Sequence, residues 1–382
     1  MYTSPPENEY VSIPTDLFEK IFFFEDFDAQ EQVIAALSEE GFERIYYGSE
    51  SSVALTDELA LALTPAYANP LLSAAARSDK FAMQIALKEH HLSHIRQMKV
   101  QRSLTEAQAL ELKKWTFPLI VKPLNSAASI GVQRCRDLQE LIDYFEDAIH
   151  VNIFGGSVTE FVVQQWLAGD EYFIDTFSIN GVHYLSGIQK YQKLQNVAYP
   201  VALYSEVIAL DSEIAATLTQ YCFQVLNAVD FKNGLAHVEV MVTDHGPYLI
   251  EINPRISGAR GMNNKLFEYC GFASQVRLLA HSCMQKGSHV AVPETSRRYG
   301  RKIYLQNYVV PRLIGALNLD LLQSLPSFQE GLMLKKPGTL CAHEPKNLTD
   351  AIALVLIAHA DPVQIEMDYQ KILAWEKSTE LF

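Results

Sequence analysis

A short hairpin near the middle of the chain carries the pattern that decides the fold. It reads His237-Val238-Glu239-Val240-Met241, then the turn Thr243-Asp244-His245-Gly246, then Tyr248-Leu249-Ile250-Glu251-Ile252-Asn253-Pro254-Arg255. Side chains alternate between the two faces of a strand, so His237 and Glu239 share one face, and Glu251 and Asn253 share one face of the partner strand. The intervening apolar residues fit a buried face.

The polar face of this hairpin indicates a site for a hard cation. A sheet rarely holds an uncompensated carboxylate, and here two lie on paired strands, with an amide beside them and an arginine just beyond. Magnesium held by one or two carboxylates commonly keeps its other positions for water and phosphate oxygens, which points toward a nucleotide. The alternative is an ordinary solvated hairpin whose glutamates face outward.

Composition limits the class of protein. The chain has 382 residues, of which 48% are apolar, enough for two or three globular domains. Its formal charge of -14 and the lack of a Lys/Arg run argue against a nucleic-acid partner. The five cysteines are scattered without CxxC spacing, so they indicate reduced cytosolic thiols rather than a disulfide framework or a zinc site.

The sequence shows neither a secretion signal nor a membrane-spanning stretch. The stretch Met1 to Tyr10 lacks the basic and apolar regions of a secretion signal. The longest apolar stretch, Ala351 to Ala360, is far shorter than the roughly 20 residues of a membrane helix and is interpreted as a core helix. The sequence thus predicts a cytoplasmic protein without membrane association.

The N-terminal part has a βαβ-like rhythm. We expect a strand at Lys20 to Glu25, a helix from Ala29 to Glu40 and a strand at Arg44 to Tyr47. After a further helix at Leu55 to Leu63, another opens at Ser78-Asp79-Lys80, which places Lys80 in a first helical turn. A cation is disfavoured there by the helix dipole, so Lys80 is either a surface residue or part of an anion site.

A second lysine precedes a loop of small residues. Leu119-Ile120-Val121-Lys122 predicts a buried strand, and Asn125 to Gly131 predicts a loop whose backbone N–H groups can close on an anion. The string lacks the P-loop spelling, and a small polar turn is its other reading.

The elements expected after this loop are the following: a strand at Val132 to Arg134, a helix from Asp137 to about His150, a strand at Glu160 to Gln165, a hairpin of Glu171 to Ser178 and Val182 to Ile188, helices at Asp211 to Val229 and Phe272 to Met284, and a boundary within Gln285 to Gly300.

In order and separation, these features resemble the ATP-grasp superfamily over roughly residues 77 to 281. The resemblance rests on the helix-start lysine, the strand-end lysine with its flap, and the string Gln165-Trp166-Leu167-Ala168-Gly169-Asp170-Glu171. The pairing of Glu239 with Glu251-Ile252-Asn253-Pro254-Arg255 is its most specific part. It implies α/β and α+β domains in which two α+β subdomains clasp ATP.

The resemblance assigns a nucleotide-binding role to each of these positions. Lys80 and Lys122 would contact ATP phosphates, under a flap that includes Ser126 and Ser129. The remaining assignments are adenine at the backbone of Gln165 and Leu167, ribose at Glu171, and magnesium, or manganese in its place, at Glu239, Glu251 and Asn253.

The same resemblance implies where chemistry occurs. Arg255 would face the transferred phosphoryl group and the substrate carboxylate, and with Lys122 would be catalytic. His237 and Gly258 would lie on the substrate side, although a packed structural histidine is the other reading of His237.

Within the superfamily the chain is most similar to the L-amino acid ligases. The similarity rests on His237-x-Glu239, on Asn253-Pro254-Arg255-Ile256-Ser257-Gly258, and on Lys336-Pro337-Gly338 before expected paired helices. The string from Trp166 to Glu171 is also similar to D-alanine:D-alanine ligase.

Four regions follow from this resemblance. They are a reduced N-terminal α/β domain with a linker helix (1–95), a small subdomain with the flap (96–165), a large subdomain with the metal site (166–288) and a C-terminal α+β extension (289–382). The function implied is an ATP- and Mg-dependent carboxylate-amine ligase that joins small metabolites, with amino acids as the expected substrates, through an acyl phosphate and with release of ADP and phosphate. Homodimer formation is also an expectation from the resemblance. The alternatives are a ligase with a larger or non-amino-acid acceptor, and a degenerate ATP-binding regulatory module.

Overall fold

The structure is a computed structural model of the chain. It describes residues 19–22, 30–49, 52–124, 131–147, 152–153, 156–157, 159–194, 201–284, 298–306, 311–341 and 350–382. The helices in these ranges are α1 (Gln30–Ser38), α2 (Val53–Leu63), α3 (Ala74–Ser78), α4 (Lys80–Glu89), α5 (Glu106–Leu112), α6 (Leu138–Asp147), α7 (Glu213–Ala228), α8 (Met262–Tyr269), α9 (Gln275–Met284), α10 (Leu319–Gln323) and α11 (Pro362–Ser378).

The strands form one small and one large antiparallel sheet and two short pairs. They are β1 (Gln97–Gln101), β2 (Leu119–Pro123), β3 (Gln133–Cys135), β4 (Asn152–Ile153), β5 (Gly156–Ser157), β6 (Glu160–Gln165), β7 (Asp170–Ile179), β8 (Val182–Lys193), β9 (Ala202–Val207), β10 (Gly234–Thr243), β11 (Gly246–Asn253), β12 (Tyr299–Leu305), β13 (Arg312–Leu313), β14 (Phe328–Met333), β15 (Leu340–Cys341) and β16 (Ala353–His359).

The small sheet has the order β1-β6-β2-β3 and packs on α6 through a core that includes Leu119, Val121 and Leu141. The large sheet has the order β11-β10-β7-β8-β9-β12-β16-β14. One of its faces is covered by α7, whose Leu218 and Val225 are buried against it. The other face is covered by α8, and this second face carries the polar residues of the hairpin β10–β11.

The predicted fold class, mixed α/β and α+β in several domains, is confirmed. The hairpin, the β7–β8 ribbon, α7 and the strand that ends near Lys122 all form where the sequence places them, with ends that differ by a few residues. The domain boundaries remain a prediction. Strand β12 pairs with β9, for example Ile303 with Tyr204, so C-terminal strands continue the large sheet.

Three local predictions are wrong. Ala351 to Ala360 is no helix but contains strand β16, because both faces of this strand are buried: Leu354 and Leu356 pack under α8, whereas Val355 and Ile357 pack in the core that includes Ile365 of α11. A strand covered on both sides is apolar throughout and loses the alternation that would identify it.

The second wrong prediction concerns the paired helices after Gly338, since the described residues beyond it contain only α11. The third is the strand at Arg44 to Tyr47, which pairs with no described strand. Side chains anchor this segment instead: Arg44 stacks on Tyr67 at 4.6 Å, and the Tyr47 hydroxyl donates to the Asp57 carboxylate. Of the strand expected at Lys20 to Glu25, residues 20–22 form no strand, and residues 23–25 lie outside the described residues. Within the described ranges, no helix is long and apolar enough to span a membrane.

Candidate active site

The hairpin β10–β11 places the predicted metal ligands side by side. Glu239 lies directly across from Glu251, and His237 lies across from Asn253. A β-bulge follows Glu239, so the register shifts only beyond the polar residues. On its other edge β10 pairs with β7, where Asp175 faces His237 and Phe173 faces Glu239. One patch of the large sheet therefore holds three carboxylates, an amide and an imidazole.

The donor set suits magnesium completed by a nucleotide. Asn253 is buried, whereas the side chains of Glu251 and Glu239 are 19% and 24% exposed, so their oxygens remain accessible. Among the described side chains, no three or more His, Cys, Asp or Glu residues form a metal cluster of their own. Magnesium needs none, because it usually binds one or two carboxylates together with substrate phosphates.

Lys80 reaches this patch from the start of α4. Asp79 caps the helix, accepting hydrogen bonds from the N–H groups of Phe81 and Ala82 at 2.7 and 2.8 Å. The buried Lys80 ammonium then donates to the Glu251 carboxylate at 2.8 Å. Of the two readings of Lys80 in the sequence, the structure favours part of a charged site over a surface lysine.

Lys122, at the end of β2, is also buried. Burial lowers its pKa to about 8, the nearby Lys80 adds to this effect, and Glu251 and Glu171 oppose it. The influence of Lys80, Glu251 and Glu171 on this pKa indicates that Lys122 lies near the carboxylate that Lys80 contacts, although the two lysines belong to different elements. A phosphate group in this space would meet both cations.

The segment between β6 and β7 carries the predicted adenine and ribose contacts. The N–H of Gln165 donates to the Arg96 carbonyl at 3.0 Å, and Leu167 follows two residues on. The Glu171 carboxylate accepts from Lys193 at 2.6 Å.

Gly169, within the same segment, has to be a glycine for steric reasons. A Cβ there would lie 2.1 Å from the Val242 carbonyl oxygen, so the segment can pack this closely on β10 only without a side chain. The predicted flap contacts Ser126 and Ser129 lie outside the described residues.

His237 is held between two carboxylates. Its Nδ1 lies 2.6 Å from Asp175 Oδ1, and its Nε2 lies 3.4 Å from Glu239 Oε1. Burial by itself lowers the pKa of His237, but Asp175 and then Glu239 outweigh burial and raise that pKa. Burial alone would raise the pKa of Glu239, but the hydrogen bond with His237 lowers it. The pair therefore favours an imidazolium beside a carboxylate.

The loop from β11 to α8 carries Arg255 and Gly258. The Arg255 guanidinium donates to the Ile256 carbonyl at 2.9 Å. A Cβ on Gly258 would lie 3.7 Å from a nitrogen of the same guanidinium. Ala259 and Arg260 follow with φ values of 57° and 51°, a left-handed conformation that is rare for residues other than glycine. Such strain costs on the order of 1–3 kcal/mol for each residue and concentrates at functional sites.

Sequence reasoning missed two buried charged residues at this site. Asp175 is fully buried on β7, where Phe173 and Phe177 share its face, and an acid within an apolar face was a signal that could have found it. Lys302 on β12 is only 1% exposed and donates to the Asn263 amide oxygen. Burial lowers the pKa of Lys302 to about 7, against the opposing effects of Asp175 and Glu239. No sequence pattern marks Lys302, which is far from the hairpin along the chain.

Comparison with known proteins agrees with this geometry. Residues 115–263 match the sequence profile of the ATP-grasp domain. This part of the chain is an ATP-grasp domain. Dapdiamide A synthase of Enterobacter agglomerans is 30% identical over 260 residues, which cover 66% of this chain and 59% of that enzyme. The chain thus spans less than two thirds of the length of the curated relatives that it matches first.

Solved structures share the fold across most of this chain. The L-amino acid ligase from Bacillus licheniformis aligns with a TM-score of 0.71 at 19% identity, covering 91% of this chain and 83% of that one. Carboxyaminoimidazole ribonucleotide synthase from Aspergillus clavatus, solved in complex with ATP, aligns with a TM-score of 0.67 at 13% identity, covering 94% and 86%. At these identities the likeness concerns the fold.

Proposed function

We propose that the protein is an ATP- and magnesium-dependent carboxylate-amine ligase that forms an amide bond between small metabolites, with amino acids as the favoured substrates. The observation that carries the proposal is the convergence of Glu239, Glu251 and Asn253 with two buried lysines from separate elements. The names of the relatives support it, since two of them are an L-amino acid ligase and a D-alanine–D-alanine ligase, and a third is dapdiamide A synthase.

The proposed reaction has two steps. A substrate carboxylate oxygen attacks the γ-phosphorus of ATP, the bond to the bridging oxygen breaks, and ADP leaves. The amine of the second substrate then attacks the carbonyl carbon of the acyl phosphate, inorganic phosphate leaves, and the amine loses a proton. The first step gives the carboxylate a leaving group that it otherwise lacks.

Residues of this chain supply the binding and the electrostatics. Magnesium, held by Glu239, Glu251 and Asn253, would neutralise charge on the phosphates when bound. Lys122 and Lys80 place two further cations beside the same carboxylates. A triphosphate would draw Lys80 away from Glu251, which frees an oxygen of that carboxylate for the metal. In the proposed roles, the backbone near Gln165 and Leu167 contacts adenine and Glu171 contacts ribose.

Arg255 is proposed to bind the substrate side of the transferred phosphoryl group. Its guanidinium is anchored by one N–H to the Ile256 carbonyl, and a planar fork suits a carboxylate or an acyl phosphate oxygen. Gly258 lies against it and leaves room for the substrate. His237, fixed by Asp175, lies beside Glu239 and is proposed to orient the substrate near the metal.

The test is phosphate release from Mg-ATP with all twenty amino acids, singly and in pairs, followed by mass spectrometry of the active mixtures. We expect release that depends on a pair and yields a condensed product. Glu251→Gln should abolish release in a folded protein. Arg255→Ala should lose ligation yet keep nucleotide affinity in calorimetry. Silence in every mixture, with ATP still bound, would refute the amino-acid assignment.

A further inference from the structure

Lys302 is a buried cation at the rear of the candidate active site that the proposed reaction does not use. It lies on β12, after the matched domain, and its side chain packs between aromatic rings: its Nζ is 5.3 Å from the Phe173 ring centre and 5.0 Å from that of Tyr304. An apolar side chain of the same length would fit this position at lower cost in desolvation. The buried ammonium of Lys302 is therefore expected to have a role that an apolar side chain could not fill.

The Lys302 ammonium donates a hydrogen bond to the side-chain oxygen of Asn263. A lysine can only donate, so the Asn263 side chain must turn its oxygen toward Lys302 and its NH₂ group the other way. That NH₂ group donates to Ser257 Oγ at 2.6 Å. Ser257 Oγ lies 3.2 Å from His237 Nδ1, which is itself 2.6 Å from Asp175 Oδ1. The charge of Lys302 thus sets the orientation of the amide and of the hydroxyl beside His237.

Ser257 belongs to the strained loop that carries Arg255. Its backbone N–H also donates to the Gln275 side chain at 2.8 Å, and Gln275 in turn donates to the Ala236 carbonyl at 2.9 Å. The loop is therefore fixed to β10 through its backbone and to the C-terminal strand β12 through its side chain. The left-handed Ala259 and Arg260 come directly after these anchors, and a strained conformation persists only when its surroundings hold it.

We infer that Lys302 is a positioning residue for the reaction, acting through Asn263 and Ser257 to hold His237 and the Arg255 loop, so that the C-terminal region is part of the catalytic machinery. The catalytic part of this inference rests on the proposed ligase function. It does not depend on Lys302 touching a substrate, because the side chain is 1% exposed.

The first experiment compares Lys302→Met with Asn263→Asp. Lys302→Met removes the charge, whereas Asn263→Asp keeps an oxygen toward Lys302 and removes the NH₂ that donates to Ser257. We expect both variants to lower kcat by about tenfold or more, the range found for outer-shell residues that orient metal ligands. ATP affinity should stay within about twofold, since the phosphate lysines are untouched. The double variant should be no worse than either single one, because both break the same chain of contacts.

The matched control is Lys265→Met on α8, which removes the same charge from a half-exposed pair with Glu330. It should leave kcat unchanged. A merely structural Lys302 would lower the melting temperature and the active fraction but would leave the kcat of the folded fraction intact. That result, with kcat of folded Lys302→Met within twofold of wild type, overturns the inference. Should Lys302→Met not fold, Asn263→Asp decides by the same criterion.

A second readout needs no turnover. The His237 ring signals in a ¹⁵N spectrum, assigned by their loss in His237→Gln, should shift in Lys302→Met and Asn263→Asp but not in Lys265→Met. If the wild type ligates no substrate at all, the proposed function fails and this spectrum alone judges the contact chain. Unchanged His237 signals then overturn the inference.

Discussion

Replacing Lys80 by methionine should affect metal and nucleotide in opposite directions. The Lys80 ammonium lies 2.8 Å from the Glu251 carboxylate, and the two side chains are 7% and 19% exposed. At an effective dielectric constant of about 20, two unit charges at this separation attract by roughly 6 kcal/mol before desolvation. A hydrogen bond to a charged group contributes a net amount of about 1.5–3 kcal/mol, and we take this as the interaction that a metal ion must displace.

The direction of each change follows from this competition. Without nucleotide, Lys80 competes with a divalent cation for Glu251, so Lys80→Met should tighten Mn²⁺ binding to the free protein by about 10-fold to 100-fold. With nucleotide, Lys80 is expected to contact phosphate, so the same variant should weaken the binding of a non-hydrolysable ATP analogue by about 10-fold or more.

Isothermal titration calorimetry measures both affinities in the same protein. Lys114→Met, which removes an exposed lysine, is the control for net charge and should change neither. Glu251→Gln should weaken Mn²⁺ binding whether or not Lys80 is present. Metal and nucleotide affinities that fall together, or that both stay the same, would refute the assignment of Lys80 and Glu251 to one shared site.

Three further predictions concern stability. Arg77→Met should lower the free energy of unfolding by about 3–5 kcal/mol in chemical denaturation, because it leaves the Asp57 carboxylate buried without its partner at 2.7 Å. Gly187→Ala should cost about 1–3 kcal/mol, since its Cβ would lie 2.2 Å from the buried Phe267 ring. Burial raises the pKa of Glu376 from 4.5 to about 7, so its contribution to stability is lost as pH rises through that interval, and Glu376→Gln should be more stable above pH 7 by at most roughly 3 kcal/mol.

Each of these has its own control. Lys114→Met breaks an exposed ion pair and should change unfolding by less than about 1 kcal/mol, so an equal loss from both lysine and arginine variants would contradict the burial argument. Phe267→Leu should relieve part of the Gly187→Ala cost in the double variant, and full additivity would count against a steric clash between the new methyl group and the ring. For Glu376→Gln, melting curves at pH 5 and pH 8 should differ less than those of wild type; parallel pH dependence would rule out the raised pKa.

Local sequence determined the elements whose pattern is short-ranged. The alternation in His237 to Met241 and in Tyr248 to Asn253 sufficed to place four polar residues on one face, because a strand has a period of two whatever surrounds it. The helix start at Ser78-Asp79-Lys80 followed likewise from neighbouring residues, since the Asp79 side chain accepts hydrogen bonds from N–H groups only two and three positions away.

Tertiary structure decided everything that depends on which elements become neighbours. The stretch from Ala351 to Ala360 is apolar on both faces, and only its place between β12 and β14 in the large sheet makes it a strand. Asp175 meets His237 because β7 pairs with β10, and Lys302 reaches Asn263 because β12 joins the same sheet through β9. Pairings between distant segments depend on the packing of the whole sheet. The sequence of the hairpin therefore predicted its own metal ligands, whereas the positions of Asp175 and Lys302 could be known only from the folded structure.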